Sequence, residues 1–99
     1  MAPLSRQVTV YTKDGCGECV RTTSLLNRKK VPFATVHVAD DDETMIAALK
    51  AVAEAQGVAP SMPLVEVTDD ESGDRVQWFG HRPDYVLSEI LNPSRGVRA

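Results

Sequence analysis

The sequence has only two cysteines, few aromatic side chains (5% of 99 residues) and no long hydrophobic run. No apolar stretch approaches the roughly 20 residues that cross a bilayer, so the sequence predicts no transmembrane helix. The first ten residues, MAPLSRQVTV, lack the apolar core of a secretory signal, and we therefore expect a cytoplasmic location. The net charge of -3, without a strongly basic face, argues against nucleic-acid binding.

The rest of the composition is that of a small globular protein. Hydrophobic residues make up 42% of the chain and charged residues 25%, a balance typical of folded domains. We expect one domain over residues 1–99, with a loose tail at 93–99.

The hydrophobic pattern predicts the element order β-α-β-α-β-β-α. Alternating β-branched residues indicate strands at 7–12, 33–38, 63–68 and 75–79. Helices are predicted at 17–29, from the acidic run 40–43 to Gly57, and at 82–91. Apolar residues recur at helical spacing in the first helix (Val20, Leu25, Leu26) and the last (Val86, Leu87, Ile90, Leu91). The first two strands should be parallel and the last two should form an antiparallel hairpin.

Both cysteines lie at the start of the first predicted helix. Unpaired amide groups and the helix dipole stabilise a thiolate at Cys16, where a free cysteine pKa of about 8.5 can fall to about 7 or lower. Lys13 adds a positive charge nearby. Cys19 follows one turn later, so we expect Cys16 to attack a disulfide and the more buried Cys19 to resolve the mixed disulfide. Glu18, between them, should oppose thiolate formation.

Two other interpretations of the cysteine pair stay open at this point. The spacing can arise by chance, and a zinc site is the sharper alternative. Zinc usually takes four ligands, and only His37 and His81 remain as nitrogen donors. The position of the pair after a strand, within a β-α-β pattern, favours redox chemistry.

Three stretches resemble known redox proteins. VTVYTKDGCGEC (8–19) resembles the thioredoxin superfamily, specifically its glutaredoxin branch, and SMPLVEV (61–67) resembles the segment that carries the cis-proline of that family. WFGHRPDYV (78–86) is similar to the W-S-G-F-R-P-[DE] segment of NrdH-redoxins. The sequence departs from that group at Gly17 and Glu18, where an apolar residue and glutamine are usual, and at Phe79 and His81, where serine and phenylalanine are usual.

The resemblance implies a thioredoxin fold, an α/β structure whose four-stranded mixed sheet has the order 2-1-3-4 and is flanked by three helices. It also implies a cis bond between Met62 and Pro63, which leaves the Met62 backbone free to pair with an extended substrate. Six positions are implied in substrate binding: Met62, Pro63, Trp78, Gly80, Arg82 and Asp84.

The function implied by the resemblance is dithiol–disulfide exchange by a monomer that needs no metal or organic cofactor. NrdH-redoxins take electrons from thioredoxin reductase and pass them to ribonucleotide reductase. Three alternatives remain: a glutaredoxin that uses glutathione as its donor, an iron–sulfur carrier that holds a cluster with Cys16 and glutathione across a dimer, and a redox-inert binding module.

Overall fold

The computed structural model describes residues 6–70 and 72–91, which form one mixed four-stranded sheet with helices on both faces. The strands are β1 (Arg6–Thr12), β2 (Ala34–His37), β3 (Leu64–Asp69) and β4 (Arg75–Phe79), in the order β2-β1-β3-β4. The helices are α1 (Gly17–Arg28), α2 (Glu43–Gln56), the short α3 (Pro83–Tyr85) and a π-helix that continues from it (Val86–Leu91). The predicted thioredoxin fold and strand order are confirmed.

The pairing of the strands follows the predicted connections. β1 is parallel to β2, to which α1 connects it, and antiparallel to β3, while β3 and β4 form the antiparallel hairpin. Alternate residues of a strand point to opposite faces, so Val8 and Val10 lie on one face of β1 and Tyr11 lies on the other. The predicted tail at 93–99 lies outside the described residues.

Each face of the sheet has its own core. On one face, Val8 and Val10 pack with Leu26 of α1 and with Val86 and Ile90 of the π-helix. On the other, Leu64 packs with Leu49 of α2 and with Val38, which follows β2. The sheet therefore separates α2 from the helix that carries the cysteines.

The buried side of α1 differs from its apolar pattern. The residues that face the core are Cys19, Thr22 and Leu26, which are spaced at helical intervals. Val20 is 63% exposed although it is apolar, whereas Thr22 is fully buried although it is polar. The hydroxyl of Thr22 thus needs a hydrogen-bond partner inside the protein.

The helix predicted at 82–91 forms as two differently wound segments. Pro83 begins α3, and the carbonyl of Arg82 accepts hydrogen bonds from the amides of Tyr85 (3.0 Å) and Val86 (3.1 Å). The chain then widens into the π-helix, in which each residue turns less about the axis than in an α-helix. Leu87 therefore leaves the buried face of Val86 and Ile90 and is 57% exposed.

The bounds of α2 are set by its two caps. The carboxylate of Asp42 accepts the Met45 amide at 3.1 Å, and Gly57 ends the helix in the left-handed conformation with φ of 70°. Both caps agree with the predicted helix. No helix in 6–70 or 72–91 is long and apolar enough to cross a membrane.

Candidate active site

Cys16 is the N-cap residue of α1. Its backbone is extended (φ −99°, ψ 101°), and its carbonyl accepts the Val20 amide at 3.3 Å. Its Sγ accepts the amide N–H of Cys19 at 3.1 Å. A sulfur held by an amide at the positive end of a helix is in a position where negative charge is stabilised.

Cys16 and Cys19 are joined by a disulfide, and their Cα atoms lie 5.2 Å apart. Cys19 is 4% exposed within the first turns of α1, whereas Cys16 is partly exposed. An incoming partner can therefore reach the sulfur of Cys16 more readily than that of Cys19.

An open groove runs past the disulfide. Lys13 and Asp14 line it together with both cysteines and with His37 at the end of β2. The Nε2 atom of His37 lies 3.0 Å from the Oδ1 atom of Asp14, and both side chains are largely exposed. His37 therefore pairs with the turn that precedes Cys16.

The turn before β3 lies close to this groove. The Met62–Pro63 bond is cis, as the resemblance implied. Lys13 borders both the groove and an apolar cavity that Met62 lines with Ile46 and Leu49 of α2. Within 6–70 and 72–91, the backbone of Met62 makes no hydrogen bond, so its polar groups are available to a partner.

The loop after β4 connects this turn to α1. The amide of Gly80 donates to the carbonyl of Pro63 at 2.8 Å. The next amide, that of His81, donates to the Oε1 atom of Glu18 at 3.0 Å. Gly80 has φ of 89°, a conformation that favours glycine and that turns two successive amides toward different parts of the site.

Thr22 also contacts this loop. Its Oγ1 atom lies 2.9 Å from the Nδ1 atom of His81, and this hydrogen bond satisfies the buried hydroxyl. The contacts of Glu18, Thr22 and His81 were not predicted from the sequence. The only local signal was a polar residue at helical spacing between Cys19 and Leu26.

The other residues of the loop segment form a small stack. Trp78 is 3% exposed and packs on Tyr85, with ring centroids 5.3 Å apart. The guanidinium of Arg82 lies 4.3 Å from the centre of the Tyr85 ring and donates to Asp84 at 3.1 and 2.8 Å. The hydrogen bond from Arg82 lowers the pKa of Asp84, and the same bond raises the pKa of Arg82.

The positions of the predicted site residues divide them into two groups. The first group lies at or beside the groove. It contains both cysteines and Lys13, which line the groove, and Met62, which lines the adjoining cavity. Pro63 belongs to it as well, and its carbonyl accepts the amide of Gly80. The second group does not line the groove: Trp78 is buried in the core, and Arg82 and Asp84 form an ion pair after the loop. No cluster of three or more potential metal ligands occurs in the described part of the chain.

The strand order and the cysteine pair have counterparts in a known family. Residues 8–72 match the model of the glutaredoxin family. The chain belongs to the glutaredoxin family. Family membership and the bonded C-x-x-C pair identify this glutaredoxin as a thiol–disulfide oxidoreductase. A comparison with curated protein sequences gives no significant match.

Solved structures share the fold of this glutaredoxin. NrdH-redoxin from Escherichia coli, a glutaredoxin-like protein with a thioredoxin-like activity profile, is 26% identical with a TM-score of 0.56, over 85% of this chain and 93% of that chain. Glutaredoxin from Archaeoglobus fulgidus is 23% identical with a TM-score of 0.59, over 86% and 85% of the two chains. Thioredoxin f from spinach chloroplast is 16% identical with a TM-score of 0.57, over 88% and 74%.

Proposed function

We propose that this glutaredoxin acts as a redoxin of the NrdH type, which thioredoxin reductase reduces and which in turn reduces a protein disulfide such as that of ribonucleotide reductase. The observation that carries the proposal is the unequal pair of sulfurs, with Cys16 partly exposed at the helix cap and Cys19 buried one turn later.

The exchange proceeds in two steps. The thiolate of Cys16 attacks one sulfur of the partner disulfide, whose S–S bond breaks, and the other partner sulfur leaves as a thiolate that takes up a proton. The thiol of Cys19 then loses its proton and attacks the Sγ atom of Cys16. This forms the Cys16–Cys19 disulfide and releases the second partner thiol, after which two electrons from the reductase reopen the disulfide.

Two residues beside the cysteines support the first step. Lys13 lines the same groove as Cys16 and supplies a positive charge there. Met62 offers its unpaired backbone groups, with which an extended segment of the partner can pair beside the disulfide.

The other five implied residues support this surface. Pro63 and Gly80 hold it through their hydrogen bond. The loop after β4 is stabilised in turn by the packing of Trp78 on Tyr85 and by the pair of Arg82 and Asp84.

The choice of a protein donor over glutathione is supported by the loop after β4. The carboxylate of Glu18 already accepts the His81 amide, so a carboxylate of glutathione would compete with it for that donor. The similar NrdH-redoxin has a thioredoxin-like activity profile. A cytoplasmic location belongs to the same proposal, because thiols there are kept reduced.

An assay with two donor systems tests the proposal. Insulin reduction is measured with NADPH and thioredoxin reductase, and separately with NADPH, glutathione and glutathione reductase, using the wild type and the Cys16→Ser variant. We expect turnover that depends on Cys16 with the first system and at least about a tenfold lower rate with the second. Faster turnover with glutathione would overturn the choice of donor, and turnover with neither would overturn the whole proposal.

The acceptor is tested separately. The reduced protein is mixed with oxidised ribonucleotide reductase of the small-redoxin-dependent type, and deoxyribonucleotide formation is followed. We expect formation with the wild type and none with Cys16→Ser.

The monomeric state stays a prediction, and sedimentation of the same protein tests it.

A further inference from the structure

We propose that Glu18 is a positioning residue for the thiol exchange, because its carboxylate braces the loop after β4 against α1 and so holds the surface on which the disulfide partner docks. The site that it positions is the one in the proposed function, and the inference rests on that function. The residue between the cysteines thus acts through a hydrogen bond to the loop, in addition to any effect of its charge.

The brace has two contacts, one turn apart on α1. The Oε1 atom of Glu18 accepts the backbone amide of His81 at 3.0 Å, and the Oγ1 atom of Thr22 lies 2.9 Å from the Nδ1 atom of the same residue. Side chains four residues apart on a helix lie on one face, so Glu18 and Thr22 can hold His81 together. The helix thereby fixes both the backbone and the ring of His81.

The loop passes this constraint on to the turn before β3. The amide of Gly80 donates to Pro63 at 2.8 Å, directly next to the His81 amide that donates to Glu18. The two hydrogen bonds tie three separate segments together: α1, the loop after β4 and the cis-proline turn. Loss of the Glu18 contact leaves the backbone of the loop unheld at His81, where only the ring contact with Thr22 remains.

The carboxylate of Glu18 also lies close to the backbone of Gly80. A Cβ atom built on Gly80 would lie 3.5 Å from the Oε1 atom of Glu18, which is ordinary van der Waals contact. The carboxylate therefore lies against the loop at its glycine and bonds the next amide.

Two substitutions at Glu18 distinguish the brace from a charge effect. Glu18→Gln removes the charge but keeps an oxygen that accepts the His81 amide, whereas Glu18→Ala removes both. An effect of the charge on the thiolate or on the redox potential appears in both variants. An effect of the brace appears in Glu18→Ala alone.

The experiment measures insulin reduction with dithiothreitol as the electron source, so its result does not depend on which cellular donor is correct. We expect Glu18→Ala to raise the KM for insulin about fivefold, the loss of one hydrogen bond, with less than a twofold change in kcat. Glu18→Gln should stay within about twofold of the wild-type KM. The matched control is Glu54→Ala, at an exposed glutamate on α2, for which no change is expected.

Amide hydrogen exchange of His81, measured by NMR on the same variants, tests the contact directly. We expect faster exchange in Glu18→Ala and near-wild-type exchange in Glu18→Gln. Equal KM values for wild type and Glu18→Ala would overturn the proposal, as would equal defects in the two variants. Redox titration against dithiothreitol measures the effect of the charge separately, because Glu18→Gln and Glu18→Ala both lack the carboxylate charge. We expect any shift of the redox potential to be the same in the two variants.

Discussion

At the scale of single residues, the two cysteines are chemically distinct because the helix treats them differently. Cys16 caps α1, and its sulfur accepts an amide, while Cys19 lies in the first turn and faces the core. The start of α1 stabilises negative charge on the sulfur of Cys16, and burial keeps the sulfur of Cys19 out of reach of a partner protein. The order of attack follows from this difference.

Trapping of the mixed disulfide tests that order. Cys19→Ser leaves the attacking sulfur in place but removes the resolving one, so we expect a stable disulfide between Cys16 and the partner. Cys16→Ser should form no such adduct and should reduce insulin on the order of 10³-fold more slowly than the wild type. Non-reducing electrophoresis and mass spectrometry of the two variants check this, and adducts through Cys19 in Cys16→Ser would contradict it.

Gly80 gives a prediction on stability. Its φ of 89° is unfavourable for any residue with a Cβ, so Gly80→Ala should lower the free energy of unfolding by about 1 to 2 kcal/mol. The nearest atom to the new Cβ is in ordinary contact, so the cost comes from the backbone conformation and not from a clash. Urea unfolding checks the value.

Gly17→Ala is the matched control for that measurement. Gly17 begins α1, has open space around its Cα atom and lacks a positive φ. Alanine there should leave the free energy of unfolding unchanged or raise it by up to about 1 kcal/mol. A similar loss in both variants would show that the conformation of Gly80 is not the cause.

At the scale of the elements, the helices show which contacts hold the site against the sheet. Leu26 is fully buried between α1 and the strands, so Leu26→Ala should lower the free energy of unfolding by about 3 kcal/mol. Leu87 is mostly exposed on the π-helix, and Leu87→Ala should change the free energy of unfolding by only about 0.5 kcal/mol. Chemical denaturation of both variants gives the comparison, and a loss for Leu87→Ala as large as that for Leu26→Ala would contradict it.

The existence and order of these elements could be predicted, but the side-chain contacts between the helices and the last loop could not. Alternation in β1 and the caps Asp42 and Gly57 are local signals, and each agrees with the structure. The pairing of Thr22 with His81 joins residues 59 positions apart and leaves no local pattern. The exposure of Leu87 depends on the wider winding of the π-helix, which apolar spacing does not encode.

At the scale of the whole molecule, the mixed sheet follows from connections that the sequence already implied. A helix between the first two strands favours a parallel pair, and the short turn between the last two gives a hairpin. The order of all four strands came from the resemblance to the thioredoxin superfamily, because the position of β3 beside β1 is not set by any short connection. The active site lies where α1, the cis-proline turn and the last loop converge.

The stability of the whole chain should depend on alkaline pH through Tyr11. Burial raises its pKa above the usual value, and so do the charge of Glu66 and the hydrogen bond to that carboxylate (3.4 Å). A raised folded pKa means that this contribution to stability is present below a pH of about 10 and is lost as the pH rises through the folded pKa. Glu66→Gln should lower the Tyr11 pKa and shift that loss to lower pH.

Tyr85→Phe provides a suitable background for the measurement, because Tyr11 is then the only tyrosine that titrates. Absorbance titration gives the pKa of Tyr11, and denaturation at increasing pH gives the stability. An identical Tyr11 pKa with glutamate or glutamine at position 66 would contradict the proposed cause.

The link between Glu18 and the His81 amide has a consequence for protein synthesis, because it spans 63 positions of the chain. Translation runs from the N-terminus, so both thiols leave the ribosome long before the loop that completes their surroundings. A growing chain therefore carries the sulfur atoms without the finished docking surface, and the catalyst matures only after the loop at Gly80 and His81 has been made.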